Sequence, residues 1–319
     1  MDLLSSVLAH MKLTGTLYFR TSFTSPWGVK VPLHPNVSRF HYVHRGRCIV
    51  RVGSEASPVQ LEQGDLIIIN RGAEHTLFSD LDEEHLAAEL ETVISESGFT
   101  GYGTLVYGEA SSKQESQLVC GHFAFDENAK HPLIDKLPSY ILIRNYGDTA
   151  GSWMEHTLRI IGSEAATDNI GASLISLKLS EIIFAQALRV FLKSEENSNS
   201  ELRGFVDSNI SKALKEVHID PSRSWNLGEL AAIAGLSRTG FVSRFTSLMS
   251  ETPLTYITNW RMQVARKMLV ESNAPIIEVA ESSGYQSEAS FGRVFKKHFD
   301  LAPASYRRFN QSVLVDETN

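Results

Sequence analysis

The sequence predicts an α+β chain: an N-terminal antiparallel β-barrel followed by helices, then an all-α C-terminal domain. Three observations carry this. The 319 residues exceed the roughly 250–300 at which single cores stop growing, so two domains are expected. Strand-like runs crowd the first third, and helical spacing dominates the last third. Between them, Ser194 to Glu201 contains no apolar residue and reads as the border of a linker.

The strand signals include Phe40 to Val43, Cys48 to Val52 and Asp65 to Ile69, with turn formers at Gly46, Gly53, Gly64 and Gly72. That rhythm suits an antiparallel barrel or sandwich. A helix with Leu174, Leu177, Ile182 and Leu188 among its apolar positions is expected from about 168 to 193. Further helices are expected from Leu202 to Val217, Leu227 to Ala234, Arg238 to Met249, Pro253 to Glu271, Ile276 to Ser283 and Glu288 to Phe299. Thr252 ahead of Pro253 fixes one start, a capping hydroxyl before a proline at the first helical position.

The helical region repeats itself. Ser237, Phe241, Phe245, Pro253 and Tyr256 recur 50 positions later as Ser287, Phe291, Phe295, Pro303 and Tyr306. Each copy has a short helix of small residues, a glycine turn at Gly235 or Gly284, and a serine cap opening a second helix. This is the layout of a helix-turn-helix, whose second helix leaves one face free for the DNA major groove. The 19 residues from Pro253 to Glu271 make a linking helix of about 28 Å. That length suits two recognition helices roughly one DNA turn, about 34 Å, apart. A solenoid also repeats at tens of residues, but it needs about three or more units.

Composition excludes several classes. With 42% apolar and 21% charged residues the chain is neither disordered nor fibrous. Two cysteines, Cys48 and Cys120, provide no disulfide framework. The N-terminus lacks the features of an export signal, and Lys178, Glu181 and Arg189 interrupt the most apolar long segment, so a cytoplasmic protein without membrane contact is expected. The formal net charge of −7 is uneven: residues 202 to 310 sum to +4, the rest to −11. A mildly basic reader joined to an acidic partner domain fits that split.

Residues Ile276 to Ala280, Ser283-Gly284-Tyr285, Ser290-Phe291, Arg293, Phe295-Lys296-Lys297, Pro303 and Tyr306-Arg307 resemble the signature of the AraC/XylS family of bacterial transcription regulators. Glu251 and Asp300 depart from it where glycine is usual, and Ala302 where threonine is frequent. Upstream, Trp27-Gly28, Phe40 to Val43, Gly64 to Leu66, Arg71 to His75, Cys120 to Phe123, His131 to Leu133 and Leu137-Pro138 resemble the cupin-type sensory domain of one branch of that family. The resemblance implies a sensory domain over 1–195, a linker over 196–204, a DNA-binding domain over 205–309 and a tail over 310–319. In it, 227–249 and 276–299 are the two helix-turn-helix motifs and 253–271 the linking helix. It further implies a regulator that is not an enzyme, commonly an activator, with double-stranded promoter DNA, RNA polymerase, a small-molecule effector and a second copy of the chain as partners.

By that resemblance Arg238, Thr239, Val242, Ser243, Glu288, Ala289, Ser290 and Arg293 face bases. Arg, Ser, Thr, Glu and apolar groups each have a matching base edge. Arg244, Lys296, Lys297, Arg307 and Arg308 suit phosphates, which fix register without reading sequence. Each of these alone also fits a solvated helix face.

In the barrel, His75 ends a segment like a cupin second motif, with Asn70 where proline is usual. The first motif is poor: there is no His-x-His, and His41 and His44 point to opposite faces of a strand. His41, His75, Cys120 and His122 could converge on zinc or another divalent metal, and they fit pocket-lining or hydrogen-bonded core positions better. Trp27 and Trp153 are candidates to line an apolar cavity. Cys120 could sense oxidant, but Cys48 lies on another strand and no resolving partner is evident. Two other classes remain open on the residues alone: a cupin metalloenzyme with a helical appendage, and a protein-interaction module.

Overall fold

The computed structural model describes all residues except 1, 54–56, 102, 110–113, 127–129, 147–155, 158–159, 161–169, 195–200 and 317–319. Trp153 and most of the expected linker lie outside the described residues. The described residues divide into two compact units. One comprises residues 12–128 and 137–194, the other 1–11, 129–136 and 195–319. The border at Ser194 and Glu195 lies at the polar stretch, but two segments ahead of it, 1–11 and 129–136, group with the C-terminal unit. A linear division of the sequence does not contain that discontinuity.

The chain opens with helix α1 (Leu3–Met11) and continues through β1 (Thr14–Thr24), β2 (Gly28–Val31), β3 (Val37–Arg45), β4 (Arg47–Val52), β5 (Val59–Glu62), β6 (Leu66–Ile69), β7 (His75–Phe78) and β8 (Ala88–Glu89). Helix α2 (Leu90–Ser97), β9 (Thr104–Gly108), β10 (Glu115–Ala124), the single turn α3 (Pro132–Asp135), β11 (Tyr140–Ile143) and α4 (Ala172–Lys193) follow.

The strands form two sheets, ordered β11-β6-β3-β10-β1-β9 and β5-β4-β7-β2-β8. Most neighbours are antiparallel, as expected, but β1 with β9 and β2 with β8 run parallel. The expected antiparallel barrel is therefore a pair of mixed sheets. Their facing sides enclose one core, with Phe19, Phe23, Val43, Ile67, Ile69, Leu118 and Cys120 from the larger sheet and Val29, Val31, Val50 and Leu77 from the smaller.

The larger sheet is covered on its other side too. Phe123 stacks on Phe40 at 4.9 Å and meets Phe184 of α4 at 4.8 Å. This is why β3 is buried from Val37 to Val43 without polar alternation. Helix α4 begins at Ala172 after the left-handed Gly171, and residues 168–169 of the expected start lie outside the described residues. It buries Ile183, Phe184, Leu188 and Phe191, each side chain contributing about 1.5–3 kcal/mol. Its close approach to β1 needs Gly15, where a Cβ would sit 2.5 Å from Ser180 Cβ.

The C-terminal unit continues with α5 (Ile210–Ile219), α6 (Leu227–Ala234), α7 (Arg238–Met249), α8 (Pro253–Glu271), α9 (Ile276–Ser282), α10 (Glu288–Phe299) and α11 (Pro303–Asp316). Thr252 Oγ1 accepts the Thr255 amide at 3.3 Å, so α8 starts at its capped proline. Phe241, Phe245, Met249 and Tyr256 are buried in the first half. Met262, Leu269, Val279, Phe291, Phe295 and Tyr306 build the core of the second. Among the described residues, no helix is long and apolar enough to cross a membrane.

Two segments from far earlier in the chain complete this unit. His218 stacks on Trp260 at 3.9 Å, and its ring nitrogens meet Tyr256 Oη at 2.7 Å and Ser6 Oγ of α1 at 3.2 Å. His131 Nε2 reaches the same Tyr256 hydroxyl at 3.1 Å, and its Nδ1 accepts the Leu133 amide at 3.1 Å. Lys267 Nζ donates to Ala9 O at 3.0 Å, and Lys136 Nζ to Met249 O at 2.7 Å. The His10 ring of α1 also lies 4.5 Å from Trp260, and burial pushes all three histidines down, His131 to about 3, with His10 and His218 also lowered.

Candidate functional site

In the first helix-turn-helix, Asn226 Oδ1 accepts the amides of Gly228 and Glu229 to open α6, and Gly235 ends it in the left-handed region. Ser237 Oγ then accepts the Gly240 amide at 3.1 Å and starts α7. Phe241, Phe245 and Met249 take the inner face of α7, a spacing of four residues each. That leaves Arg238, Thr239 and Ser243 exposed and Val242 half-buried.

Arg244 is exposed as well, yet it is engaged within the unit. Its Nη2 lies 2.5 Å from Asp207 Oδ2 and its Nε 3.1 Å from Oδ1. Burial would raise the Asp207 carboxyl, but Arg244 and the amides of Ile210 and Asn209 outweigh it and hold the group below its ordinary value. Expected as a phosphate contact, Arg244 ties α7 to the turn that opens α5.

The second motif repeats this construction. Ser287 Oγ accepts the Ser290 amide at 3.3 Å, and Phe291 and Phe295 of α10 are fully buried. Glu288, Ala289, Arg293, Lys296 and Lys297 are exposed, with Ser290 half-buried. Lys296 and Lys297 sit in the last turn, where positive charge also favours the helix end. The turn before α10 is tight: at Gly284, φ +78°, a Cβ would meet Arg261 Nη2 at 2.7 Å and Ser222 O at 2.8 Å. Arg307 donates to Ala274 O at 2.6 Å and Arg308 to Ser305 Oγ at 3.2 Å, so both basic residues expected at phosphates carry internal bonds.

In the other unit, His41 Nε2 lies 2.8 Å from His75 Nε2, and His41 Nδ1 lies 3.1 Å from Cys120 Sγ. Proton positions follow from the far end. His75 Nδ1 meets Ala73 O at 2.9 Å, and a carbonyl only accepts, so Nδ1 carries the hydrogen. Neutral His75 then accepts at Nε2 from His41 Nε2–H, and His41 Nδ1 is left to accept the Cys120 thiol. Burial keeps both rings neutral, His75 pushed down to about 4, and it pushes the Cys120 thiol well up. Together Cys120, His41 and His75 form a directed chain of three hydrogen bonds ending on Ala73.

This chain suits the hydrogen-bonded core alternative and does not fit the zinc site that the sequence left open. His41 stands between its partners, and its two ring nitrogens point apart, so His75 and Cys120 cannot join it around one ion. Both imidazole lone pairs are already used as acceptors. Among the described residues, no group of three or more His, Cys, Asp or Glu is placed to hold a metal ion. His122 shares the Cys120 face of β10 by alternation, but its ring lies beside His34 at 6.4 Å rather than in the chain. Trp27 is buried against Phe23 at 4.8 Å as a core residue.

Next to the chain is a cavity of about 200 Å³. His41 and Cys120 form part of its wall, and Arg39, two residues before His41 on β3, lines it too. Arg39 is 5% exposed, and its Nη1 donates to Pro32 O. Sequence reasoning did not single out Arg39; the available signal was a charge within the strand-like stretch Val37 to Val43, which also holds Ser38 and His41.

Residues 2–193 match the sequence model of the family described as Cupin, and residues 230–308 that of a helix-turn-helix domain. A putative AraC-like transcription regulator of Streptomyces antibioticus is 28% identical over 309 residues, covering 97% of this chain and 99% of the relative. The HTH-type transcriptional regulator MtrA of Neisseria gonorrhoeae is 24% identical over 310 residues, covering 97% of this chain and 98% of the relative. The RCS-specific HTH-type transcriptional activator RclR of Escherichia coli is 24% identical over 191 residues, covering 60% of this chain and 67% of the relative. Among solved structures, the DNA-binding domain of AdpA in complex with a target DNA aligns at 25% identity and a TM-score of 0.32, covering 33% of this chain and 96% of that one. The protein is a transcription regulator rather than an enzyme, and it belongs to the AraC/XylS-type regulators that carry an N-terminal cupin domain.

Proposed function

We propose that this regulator is a cytoplasmic, sequence-specific activator that binds double-stranded promoter DNA as a homodimer and responds to a small molecule held in its cupin unit. The observation that carries the reading is the paired exposed faces of α7 and α10, each presented by a serine cap and two buried phenylalanines at the same 50-residue shift. Arg238, Thr239, Val242 and Ser243 on one helix, and Glu288, Ala289, Ser290 and Arg293 on the other, then read base edges. Lys296 and Lys297 hold phosphate.

Activation, through contact with RNA polymerase, is supported by the activator named among the relatives. Dimerisation through α4 is supported by its uncovered apolar side chains, Leu174 at 62%, Ile175 at 41% and Ile182 at 40% exposure. A small-molecule signal is favoured over an oxidant because the Cys120 thiol is buried, keeps its proton and donates a hydrogen bond to His41. An effector acts by binding one arrangement of the DNA-reading units more tightly than another.

Gel-shift titration of the full chain against DNA from upstream of its own coding sequence tests the reading. Discrete complexes that survive excess unrelated duplex are expected. Equal competition by unrelated duplex would defeat sequence-specific binding.

A further inference from the structure

We propose that Arg261 of the linking helix α8 is a positioning residue that locks the two helix-turn-helix motifs at one separation, so that the regulator accepts a single spacing between the base sets read by α7 and α10. The inference rests on the two-helix reading above and adds a spacing rule to it.

Arg261 lies next to the midpoint of α8 and is half-buried. Its Nε donates to Pro221 O at 2.7 Å and its Nη2 to Arg223 O at 2.7 Å, both carbonyls of the turn that leads into the first motif. A planar charged fork held on two carbonyls fixes direction as well as distance. The turn is itself braced and passes that constraint on. Trp225 Nε1 donates to Asp220 O at 2.8 Å, and Asp220 Oδ1 accepts Ser222 Oγ at 2.7 Å and the Arg223 amide at 3.1 Å. The Arg223 guanidinium lies 4.5 Å over the Trp225 ring and 3.5 Å from Glu229 Oε1 of α6, the opening helix of the first motif.

The Arg261 guanidinium also meets the second motif. At Gly284, whose φ of +78° already favours glycine, a Cβ would stand 2.7 Å from Arg261 Nη2, 2.8 Å from its Cζ and 2.8 Å from Ser222 O. The fork and the first motif's leading turn therefore close directly on the turn between α9 and α10, with no room for a side chain. Tyr285 carries the contact inward: its ring lies 5.7 Å from Phe291 of α10, and it packs on the core of the second half. Burial draws the Arg261 pKa down, against the pull of Tyr285 from the second turn and Asp220 from the first.

The repeat assigns this arginine to the junction. Ser237, Phe241, Phe245, Pro253 and Tyr256 have like residues 50 positions on, but Arg261 is matched by Gln311. Caps and phenylalanines build each motif, and Arg261 joins the two. A rigid pair meets successive grooves without an ordering cost at binding. Each base pair inserted between the two base sets moves one of them about 3.4 Å along the duplex and about 35° around it. A locked pair then loses the contacts of one helix, whereas a loosened pair can follow.

The test uses the specific duplex of the gel-shift experiment and two derivatives, with one base pair inserted or deleted between the two base sets. Those sets are the base pairs whose substitution no longer matters in Thr239→Ala and in Arg293→Ala. Wild type should lose about tenfold or more on either derivative, the cost of one helix's base contacts. Arg261→Met, which keeps the stem and removes the donors, should lose about threefold or less. Arg261→Lys, which keeps the charge and removes the fork, should relax the spacing in the same way and serves if Arg261→Met does not fold. Pulsed electron resonance between spin labels at Ser247→Cys and Ala304→Cys, both exposed positions outside the base-facing set, reads the lock in the full chain without DNA. One narrow distance is expected in wild type and a broadened distribution in Arg261→Met. No spacing penalty in wild type, a penalty unchanged in both variants whether or not overall affinity falls, or a distribution in Arg261→Met as narrow as wild type would overturn the proposal. If no duplex is bound specifically, the two-helix reading falls and the distances alone decide the lock.

Discussion

Arg244 on α7 grips Asp207 with two nitrogens, Nη2 at 2.5 Å from Oδ2 and Nε at 3.1 Å from Oδ1, while Asp207 Oδ1 also accepts the amide of Ile210 at 2.9 Å. The recognition helix of the first motif is thereby oriented from outside the motif. Asp207→Ala and Arg244→Ala should lower the thermal midpoint of the C-terminal unit by similar amounts, with non-additive effects in the double variant. Both should leave the salt dependence of DNA binding unchanged. A slope of log affinity against log salt reduced by about 1 in Arg244→Ala alone would return this residue to the phosphates.

The exposed residues of α7 and α10 should divide by role. Thr239→Ala and Arg293→Ala are each expected to cost about 1–3 kcal/mol on the specific site and little on unrelated duplex. Lys297→Ala should weaken both sequences equally and reduce the salt slope by about 1. Affinity measured on both duplexes at several salt concentrations separates the two patterns.

Acid should loosen the C-terminal unit. His131 is buried and neutral, with its pKa lowered to about 3, whereas the unfolded side chain titrates near 6.5. The unfolded state then binds more protons below pH 6.5, so stability falls as pH drops from about 6.5 towards 3. At pH 5 the loss from His131 alone is about 2 kcal/mol. His10 and His218 shift the same way beside it. Unfolding of wild type and His131→Asn at pH 7.5 and 5 should show a smaller acid loss in the variant; equal losses would refute the assignment.

The chain from Cys120 through His41 to His75 makes the thiol both a donor and unreactive. Native Cys120 should resist alkylation, and Cys120→Ala should cost about 1–3 kcal/mol by leaving His41 Nδ1 without its donor. Cys120→Ser restores an O–H donor and should recover part of that loss. Rapid native alkylation at neutral pH, followed by mass spectrometry, would instead favour an oxidant-sensing thiol.

Local chemistry explains what could be read from the sequence. Ser237, Thr252 and Ser287 act as caps through bonds to residues three positions on, and Phe241 with Phe245 share a face by helical spacing, so the helix positions were legible. The parallel pairings of β1 with β9 and β2 with β8 were not, because they join strands about 60 to 90 residues apart with no turn to announce them. The docking of Ser6 and His131 around His218 and Tyr256 was hidden for the same reason. His41, His75, Cys120 and His122 can be grouped from the sequence, but only the first three share a hydrogen-bonded chain, and its donor and acceptor direction depends on the Ala73 carbonyl, which composition cannot reveal. Arg39 was passed over because a charge in a strand ordinarily signals a solvated face.

The most direct test of the central claim is DNA affinity of the full chain carrying Thr239→Ala and Arg293→Ala together, one change on each recognition helix. If both helices read bases at once, the double variant should lose close to the sum of the single effects on the specific duplex and bind unrelated duplex as wild type does. Unchanged affinity for the specific duplex would contradict the two-helix account.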